Sequence, residues 1–550
     1  MKYKKDNLVF LPLGGSGQIG MNCNLYHYND TWIMVDLGVM FGDGDLSPYE
    51  LIMPDLQFIL ERKNKLSALI LTHAHEDHIG AVPYLYETLG EIPIYTTSFT
   101  ASVLKRKFKS VGITNYDIRL LDYNKGLNIG PFFIEIFCLT HSIPEPNAII
   151  IKTEKANIFH SGDWKIDPEP LIGQPINEKH LKKVIDEGID VMICDSTNVF
   201  NENTSGSEGD VRKHLKKIFS KKEKGKIVIT CFASNIARLD TILKVSEESN
   251  RCCLLLGRSL QRIFESAQEN NYLKESKNIV NEKEAKLIPE DDLVVICTGS
   301  QGESRAALHR LVSGKHRFLR LNEKDLVIFS SREIPGNEKK INEIKTLVLK
   351  QGCNLLDQEN STKVHVSGHP SKKELKQMYE WISPKLLIPV HGEYRHLNEQ
   401  VRYSKECGIK KQILVENGDL VRLDNYSVKK IIERVFSGKN VLRGNKILPI
   451  NDKHFSDLAL INKDGEIFVN LIMNLDNFLL SEPIIFCPSL FINEIDLNEL
   501  KDLIEDNIKE FSKNSIDDKI LSDQIRINVR SFVKMKIGLK PLTIIEIVRI

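Results

Sequence analysis

The 550-residue sequence predicts an α/β protein built from several domains. Three observations carry that expectation. The apolar run Ala68-Leu69-Ile70-Leu71 reads as a buried strand and ends in a dense polar cluster, Thr72-His73-Ala74-His75-Glu76-Asp77-His78, at which a helix is expected to begin. Between residues 201 and 354, short apolar strands alternate with helical stretches, the pattern of a mostly parallel sheet with helices on its faces. The chain is also too long for one hydrophobic core, so two or three domains are expected.

The elements follow in order. Residues 8–13 make a first strand and run into Gly14-Gly15-Ser16-Gly17-Gln18-Ile19-Gly20. A glycine-rich turn after a strand can signal a dinucleotide site, but no sustained helix follows, so a tight turn that brings backbone close to the site is the better reading. The strand at residues 31–35 closes on Asp36, which is expected to brace the histidine cluster. Residues 132–139 lead to His141, and Ile158-Phe159-His160-Ser161-Gly162 leads to Asp163, with His160 read as an ordinary strand residue. Strands at 227–231, 252–256, 293–297 and 326–329 alternate with helices near 209–220, 235–248, 258–270, 301–311 and 337–350. The apolar run Leu386-Leu387-Ile388-Pro389-Val390 precedes His391, and the stretch 444–453 reads as a linker. Beyond it, strands at 458–461, 466–473 and 543–548 and an amphipathic helix at 497–511 describe a small α+β module.

Composition bounds the class. Hydrophobic residues at 41% and charged residues at 27% are those of a soluble globular protein. The net charge of +1 neither requires nor forbids a nucleic-acid partner, because a local groove is enough to collect phosphates. Ten cysteines form no C-x-x-C pair and read as buried thiols in a reducing compartment. No stretch approaches the ~20 apolar residues of a membrane span, and no signal-peptide core is visible, so the expected location is the cytoplasm, away from membranes.

The chemistry lies in the polar cluster. In an extended segment His73 and His75 project to the same side, whereas Asp77 and His78 sit at the turn into the helix and aim elsewhere. One loop thus offers two pairs of ligands, suited to two cations roughly 3.5–4 Å apart. A metal-free polar loop is the alternative reading, and the strand-loop-helix context favours metal. His141 and Asp163 could be exposed loop residues, yet two-metal hydrolases need both imidazole and a carboxylate able to bridge.

The motif His73-Ala74-His75-Glu76-Asp77-His78 resembles the signature of the metallo-β-lactamase fold, an αββα sandwich, with Asp36, His141 and Asp163 in that fold's order. The next histidine the fold requires has its best candidate in His391, more than two hundred positions beyond Asp163, a gap able to hold a whole α/β domain. With that insertion the chain is similar to the β-CASP family of RNA-processing nucleases. Its further motifs match at Asp195 in Asp195-Ser196-Thr197-Asn198, at His369 in His365-Val366-Ser367-Gly368-His369-Pro370, and at His391 in Pro389-Val390-His391-Gly392. A histidine at the last of these resembles the RNA-processing members and not the DNA-repair ones, with the bacterial ribonuclease J family nearest. Phe232-Ala233-Ser234-Asn235-Ile236 and Thr298-Gly299-Ser300-Gln301-Gly302-Glu303 add to the likeness, whereas Gln18 departs from it where an acidic residue is commoner.

The resemblance implies a division into a metallo-β-lactamase domain at 1–200 and 355–450, an inserted β-CASP domain at 201–354, and a linker with a C-terminal domain at 451–550. It implies two divalent ions, zinc foremost with manganese or magnesium as alternatives, one held by His73, His75 and His141, the other by Asp77, His78 and His391, and Asp163 between them. Catalysis is expected from His369, Asp195 and Asp77. Ser234, Asn235, His365, Val366, Ser367, Gly368 and His369 could cradle a terminal 5′ phosphate, although Ser234, Asn235 and Ser367 could equally cap helices. The implied activity is 5′-to-3′ exonucleolytic hydrolysis of single-stranded RNA from 5′-monophosphate ends, with internal cleavage possible, in RNA maturation and mRNA decay. Alternatives are a DNA-directed nuclease of the same branch, a small-molecule hydrolase, or a non-catalytic RNA-binding subunit. Partners implied are other RNA-decay proteins and further copies of the chain, as a dimer or tetramer through the C-terminal domain. The basic runs Lys105-Arg106-Lys107-Phe108-Lys109 and 216–226 could line an RNA channel, but taken singly read as solvated helix faces.

Overall fold

Strands buried on both faces build the frame. All six residues of Val9–Gly14 and of Cys23–Tyr28 are buried, and their alternation sorts them into two cores: Val9 and Leu11 face one way, Leu8 and Phe10 the other. The computed structural model describes residues 3–42, 51–274, 278–334, 336–361, 363–424, 431–490, 495–511 and 517–550. It divides into two units, Met1–Ile447 and Leu448–Ile550.

In the first unit two sheets stack. One has eight strands in the order Ile431–Arg434, Asp419–Arg422, Val9–Gly14, Cys23–Tyr28, Thr31–Val35, Leu66–Ile70, Ile94–Thr96 and Ile118–Leu120. The other has six, in the order Leu386–Val390, Val191–Asp195, Asn157–His160, Asn147–Lys152, Phe132–Cys138 and Leu127–Ile129. Phe10, Tyr26, Ile33 and Ile70 from the first sheet meet Ile134, Ile149, Ile158 and Ile193 from the second in one dry core. On the outer face of the six-stranded sheet, Phe159 and Met192 pack against Leu375, Met378 and Tyr379 of the helix Lys372–Ile382. On the outer face of the other, Met34 and Leu69 pack with Val82, Leu85 and Leu104 of helices Val82–Leu89 and Ser98–Val111. The result is the αββα sandwich of the metallo-β-lactamase fold.

Register explains how distant residues meet. Asn157–His160, Val191–Asp195 and Leu386–Val390 run parallel and adjacent, with Asp195 opposite Val390. Their carboxyl ends therefore lie side by side, which brings Asp163, Asp195 and His391 to one edge of the sheet.

The insertion is a six-stranded, wholly parallel sheet in the order Ile279–Val280, Cys252–Leu256, Leu293–Cys297, Ile227–Thr230, Leu326–Phe329 and Asn354–Leu356. Helices Glu208–Lys221, Ile236–Glu248 and Arg258–Glu269 cover one face, and Ala307–Val312 and Glu338–Lys350 the other. The helix expected at 301–311 starts only at Ala307, because Gln301 and Gly302 are spent in a turn, Gly302 with φ +78°.

In the second unit, strands Ile484–Phe486, Glu466–Met473 and Leu542–Arg549 form a sheet under helices Leu497–Phe511 and Asp518–Ile537. Two expectations fail here. Residues 458–461, expected as a strand, lie inside the helix Lys453–Asp464, opened by the Asp452 carboxylate accepting from the His454 N–H at 2.8 Å. The stretch read as linker contains the strand Lys446–Pro449. The helix Asp518–Ile537, capped by Asp517 and ended by Gly538, buries Leu521, Ile525, Val529 and Val533 at four-residue intervals and is an addition to the sequence-based reading. All ten cysteines are free thiols. Among the described residues no helix is long and apolar enough to cross a membrane.

Candidate metal centre

The loop after Leu66–Ile70 is locked before its histidines begin. Asp36, a buried residue in a left-handed conformation (φ +62°), accepts from the Thr72 backbone N–H at 2.8 Å, from Thr72 Oγ1 at 2.9 Å and from His78 Nδ1 at 2.7 Å. A proton held on His78 Nδ1 leaves Nε2 with the lone pair that a cation would need. That Nε2 lies 3.2 Å from Asp163 Oδ1.

Three other rings converge beside it. His75 Nδ1 lies 3.0 Å from His73 Nε2 and 3.0 Å from His141 Nε2, with Asp163 Oδ2 at 3.7 and 3.8 Å from the same two Nε2 atoms. His141 is aimed by its Nδ1–H, which donates to the Gly368 carbonyl at 2.5 Å. A side chain on residue 368 would place Cβ 2.6 Å from His141 Cε1, so only glycine allows that approach. On the other side of Asp163, His391 Nε2 lies 3.1 Å from Asp77 Oδ2 and His391 Nδ1 lies 3.0 Å from Asp163 Oδ1. His391 itself adopts φ +54°, a conformation costly for a non-glycine residue and found where a site requires it.

Three groups of donors share the Asp163 carboxylate: His73, His75, His141 and Asp163; Asp77, His78, His391 and Asp163; and, overlapping the second, Asp163, Asp195, His369 and His391. Donors on a tetrahedral cation at roughly 2.0–2.1 Å stand about 3.3 Å apart, close to the 3.0 Å nitrogen spacings of the first set. Asp163 Oδ1 and His391 Nε2 are buried without a well-aligned hydrogen-bond partner, which is costly unless a cation completes them. The donors present therefore fit two divalent ions.

Electrostatics divides the sets. Burial drives His73, His75 and His141 below the ordinary imidazole value, His75 to about 4, so all three present neutral lone pairs. Burial also opposes charge on His78 and His391, but the carboxylates of Asp163, Asp36 and Asp77 around the first, and of Asp163, Asp195 and Asp77 around the second, raise both. Asp163 is buried too, and His391 and His78 outweigh that burial to hold it ionised.

His369 closes the edge of the cluster. Its Nδ1 lies 2.8 Å from Asp195 Oδ2, leaving Nε2 for the cleft. Burial works against the imidazolium, and Asp195 and Asp163 overcome it, raising His369; Asp195, buried as well, is drawn to about 2 chiefly by His369.

A cleft of about 1720 Å³ contains His75, Asp77, His141, Asp163, His369 and His391, together with Ser234, Asn235, His365, Val366, Ser367 and Gly368. The 5′-phosphate candidates divide in role. Asn235 Oδ1 caps the helix Ile236–Glu248 by accepting from Arg238 N at 2.8 Å, and Ser367 Oγ accepts from His369 N at 3.1 Å, so both serve structure at those atoms. His365 is kept neutral by burial first, then by Arg238, Lys165 and Arg332.

Several contributors carry no sequence signal of their own. Thr197 Oγ1 lies 3.1 Å from His391 Nδ1, and Asn22 Nδ2 lies 3.2 Å from His78 Nε2. Ser205 Oγ donates to the His369 carbonyl at 2.6 Å. Arg238, fully buried, grips Glu208 at 3.0 and 3.1 Å and donates to the carbonyls of Ser330 at 2.7 Å and Val364 at 3.0 Å, fixing the approach to the loop that bears His365 and His369. Four residues of the basic runs are spent on carboxylates: Arg106 on Glu269, Lys107 on Glu76, Lys216 on Glu248, and Lys226 on Asp325. Tyr26 Oη lies 2.8 Å from His160 Nδ1, so that histidine is a satisfied core residue.

Comparison with known proteins accords with this geometry. Residues 31–205 match the Beta-lactamase superfamily domain, 224–347 the Ribonuclease J, beta-CASP domain, and 360–414 the Zn-dependent metallo-hydrolase RNA specificity domain. Ribonuclease J of Sinorhizobium meliloti is 36% identical over 99% of this chain and 98% of its own. Ribonuclease J of Thermus thermophilus is 29% identical over 98% of this chain and 94% of its own. A solved Enterococcus faecalis protein of unknown function shares the fold over 76% of this chain and all of its own, at 16% identity and a TM-score of 0.54. With identity of that order running nearly end to end over both chains, the protein belongs to the ribonuclease J family.

Proposed function

We propose that the protein is a metal-dependent ribonuclease that hydrolyses RNA phosphodiester bonds, working 5′ to 3′ from 5′-monophosphate ends and also cutting internally, in RNA maturation and decay. The observation that carries this reading is the pair of ligand sets sharing Asp163 beside the His369–Asp195 pair, all within one cleft. His73, His75 and His141 would hold one divalent ion, Asp77, His78 and His391 the other, with zinc the first choice for so many imidazoles and manganese next. Such ions, when bound, acidify water and neutralise charge on a phosphoryl transition state.

The chain's own residues do the rest. Asp195 fixes the tautomer and direction of His369, and the raised His369 carries a proton at Nε2 for the leaving 3′ oxygen. The N-terminus of the helix Ile236–Glu248, preceded by Ser234 and Asn235, supplies a positive dipole end for a terminal phosphate. Ser367 adds a hydroxyl and the 365–369 loop its backbone. In the C-terminal unit Ile484, Phe486, Ile544 and Val548 are exposed on strands of one sheet, which supports association of copies through that surface.

Purified protein with Mn²⁺ or Zn²⁺, given RNA labelled at either end and bearing 5′ monophosphate, triphosphate or hydroxyl, tests the reading. Release of 5′ mononucleotides, fastest from monophosphate ends, is expected. Cleavage of DNA but not RNA, or of neither, would overturn it.

A further inference from the structure

The turn that follows Asp195 carries a residue the chemistry so far leaves unused. Phe200 is 49% exposed, yet it stands in the wall of the cleft that holds Asp77, Asp163, His369 and His391. Aromatic carbon left open to water forgoes the gain of burial. The backbone nevertheless keeps it there: Val199 N–H donates to Ser196 O at 3.1 Å, Asn201 N–H to Asn198 O at 3.0 Å, and Lys372 N–H to Asn201 O at 3.0 Å.

Its neighbours point to a ligand. The His396 ring meets Phe200 edge-on at 5.1 Å, and the Arg395 guanidinium lies 5.7 Å from its centroid. The same short segment touches the reacting groups: Thr197 Oγ1 is 3.1 Å from His391 Nδ1, and Asn198 Nδ2 donates to the His369 carbonyl at 3.2 Å. From the inserted domain Arg332 Nη1 reaches Asn198 Oδ1 at 3.0 Å, and among the described residues no carboxylate forms an ion pair with it. A half-exposed aromatic ring beside the Arg395 guanidinium, itself paired with Glu393 at 2.8 Å, with the Arg332 guanidinium held on Asn198 two residues away, lines the groove with the two chemistries that hold single-stranded nucleic acid, ring for base and cation for phosphate.

We propose that Phe200 is a stacking platform for one nucleobase of the RNA strand, holding it next to the His369 and His391 cluster. The subsite presupposes the RNA-cleaving reading. Because every base presents a π face, it selects position along the strand and not base identity.

The test uses the full chain and short 5′-phosphorylated RNAs carrying one abasic residue at successive positions. Binding is followed by fluorescence anisotropy in EDTA, and cleavage in a parallel arm with Mn²⁺. In the wild type one abasic position weakens binding roughly 5- to 150-fold. Phe200→Ala binds intact RNA more weakly by a similar factor and loses that positional dip. Phe200→Trp keeps the dip, whereas Phe200→Leu, which retains apolar bulk without a π face, loses it. Wild-type affinity in Phe200→Ala, a dip that survives in it, or a Phe200→Leu protein equal to wild type would overturn the platform. RNA bound with this profile but never cleaved would overturn the nuclease reading and leave the platform standing; RNA not bound by the wild type would remove both.

Discussion

Replacing Asp36 by asparagine removes one oxygen from a residue that touches no substrate. The carboxylate serves two sides, Oδ1 taking the Thr72 backbone N–H at 2.8 Å and Oδ2 the His78 Nδ1–H at 2.7 Å. In Asp36→Asn one side must face an NH₂ group. If Oδ1 stays with Thr72, His78 has to accept at Nδ1, so its proton moves to Nε2, the atom that stands 3.2 Å from Asp163 Oδ1 and belongs to the second ligand set. A protonated Nε2 has no lone pair to give. A hydrogen bond to a charged group is worth about 1.5–3 kcal/mol, or roughly 10- to 150-fold in occupancy of the second ion, in line with the roughly 10- to 100-fold typical of residues that orient a metal-binding histidine. The assay is Mn²⁺ activation of RNA cleavage, with bound metal per chain counted in parallel. The midpoint of activation should rise by that factor, while the first set, His73, His75 and His141, still fills. An unchanged midpoint in a folded Asp36→Asn protein would refute the tautomer argument.

Other consequences follow from the same geometry. His369→Ala should lower kcat by about 10²- to 10⁴-fold with little change in KM or in metal content, as expected when a proton donor is lost and the ligand sets remain; single-turnover cleavage checks it. Asp167 is buried beside Lys165, with Nζ 3.0 Å from Oδ2, and although burial opposes its charge, Lys165 and hydrogen bonds from Ser207 and Glu208 hold its carboxyl below the ordinary value. A lowered folded pKa means that its stabilisation is present above the ordinary carboxylate range and is lost as pH falls through the folded value. Asp167→Asn should therefore cost about 3–5 kcal/mol at neutral pH in urea unfolding, and the gap from wild type should narrow on acidification. Ile544→Glu, on the exposed sheet face of the C-terminal unit, should shift the sedimentation of the protein towards a smaller species while leaving cleavage of short RNA intact.

Much of the frame was legible because its strands are mostly apolar runs bounded by polar residues. Leu293–Cys297, Leu326–Phe329, Thr31–Val35 and Glu466–Met473 have the bounds their composition suggests. The failures have a common physical cause. Leu458-Ala459-Leu460-Ile461 is a four-residue apolar run whose periodicity is the same for a strand and a helix turn, and only the Asp452 cap and the partial burial of its neighbours decide for helix. The helix Asp518–Ile537 mixes charged and apolar residues so evenly that its Leu521-Ile525-Val529 stripe emerges only at a four-residue spacing.

At the site, histidines and aspartates at strand ends declare themselves by type. Thr197, Asn22 and Ser205 do not, because a neutral side chain acquires a role only through what the fold sets against it. Charge runs are ambiguous for the converse reason: Arg106 and Lys107 could serve phosphates or solvent until their carboxylate partners Glu269 and Glu76 are placed beside them.

Counting divalent ions bound per chain, in wild type and in His391→Ala, probes the shared-carboxylate centre most directly. Two equivalents in the wild type and one in the variant, with RNA cleavage falling in step, are the expected result. Undiminished cleavage by protein stripped of metal, or a single equivalent in both proteins, would contradict it.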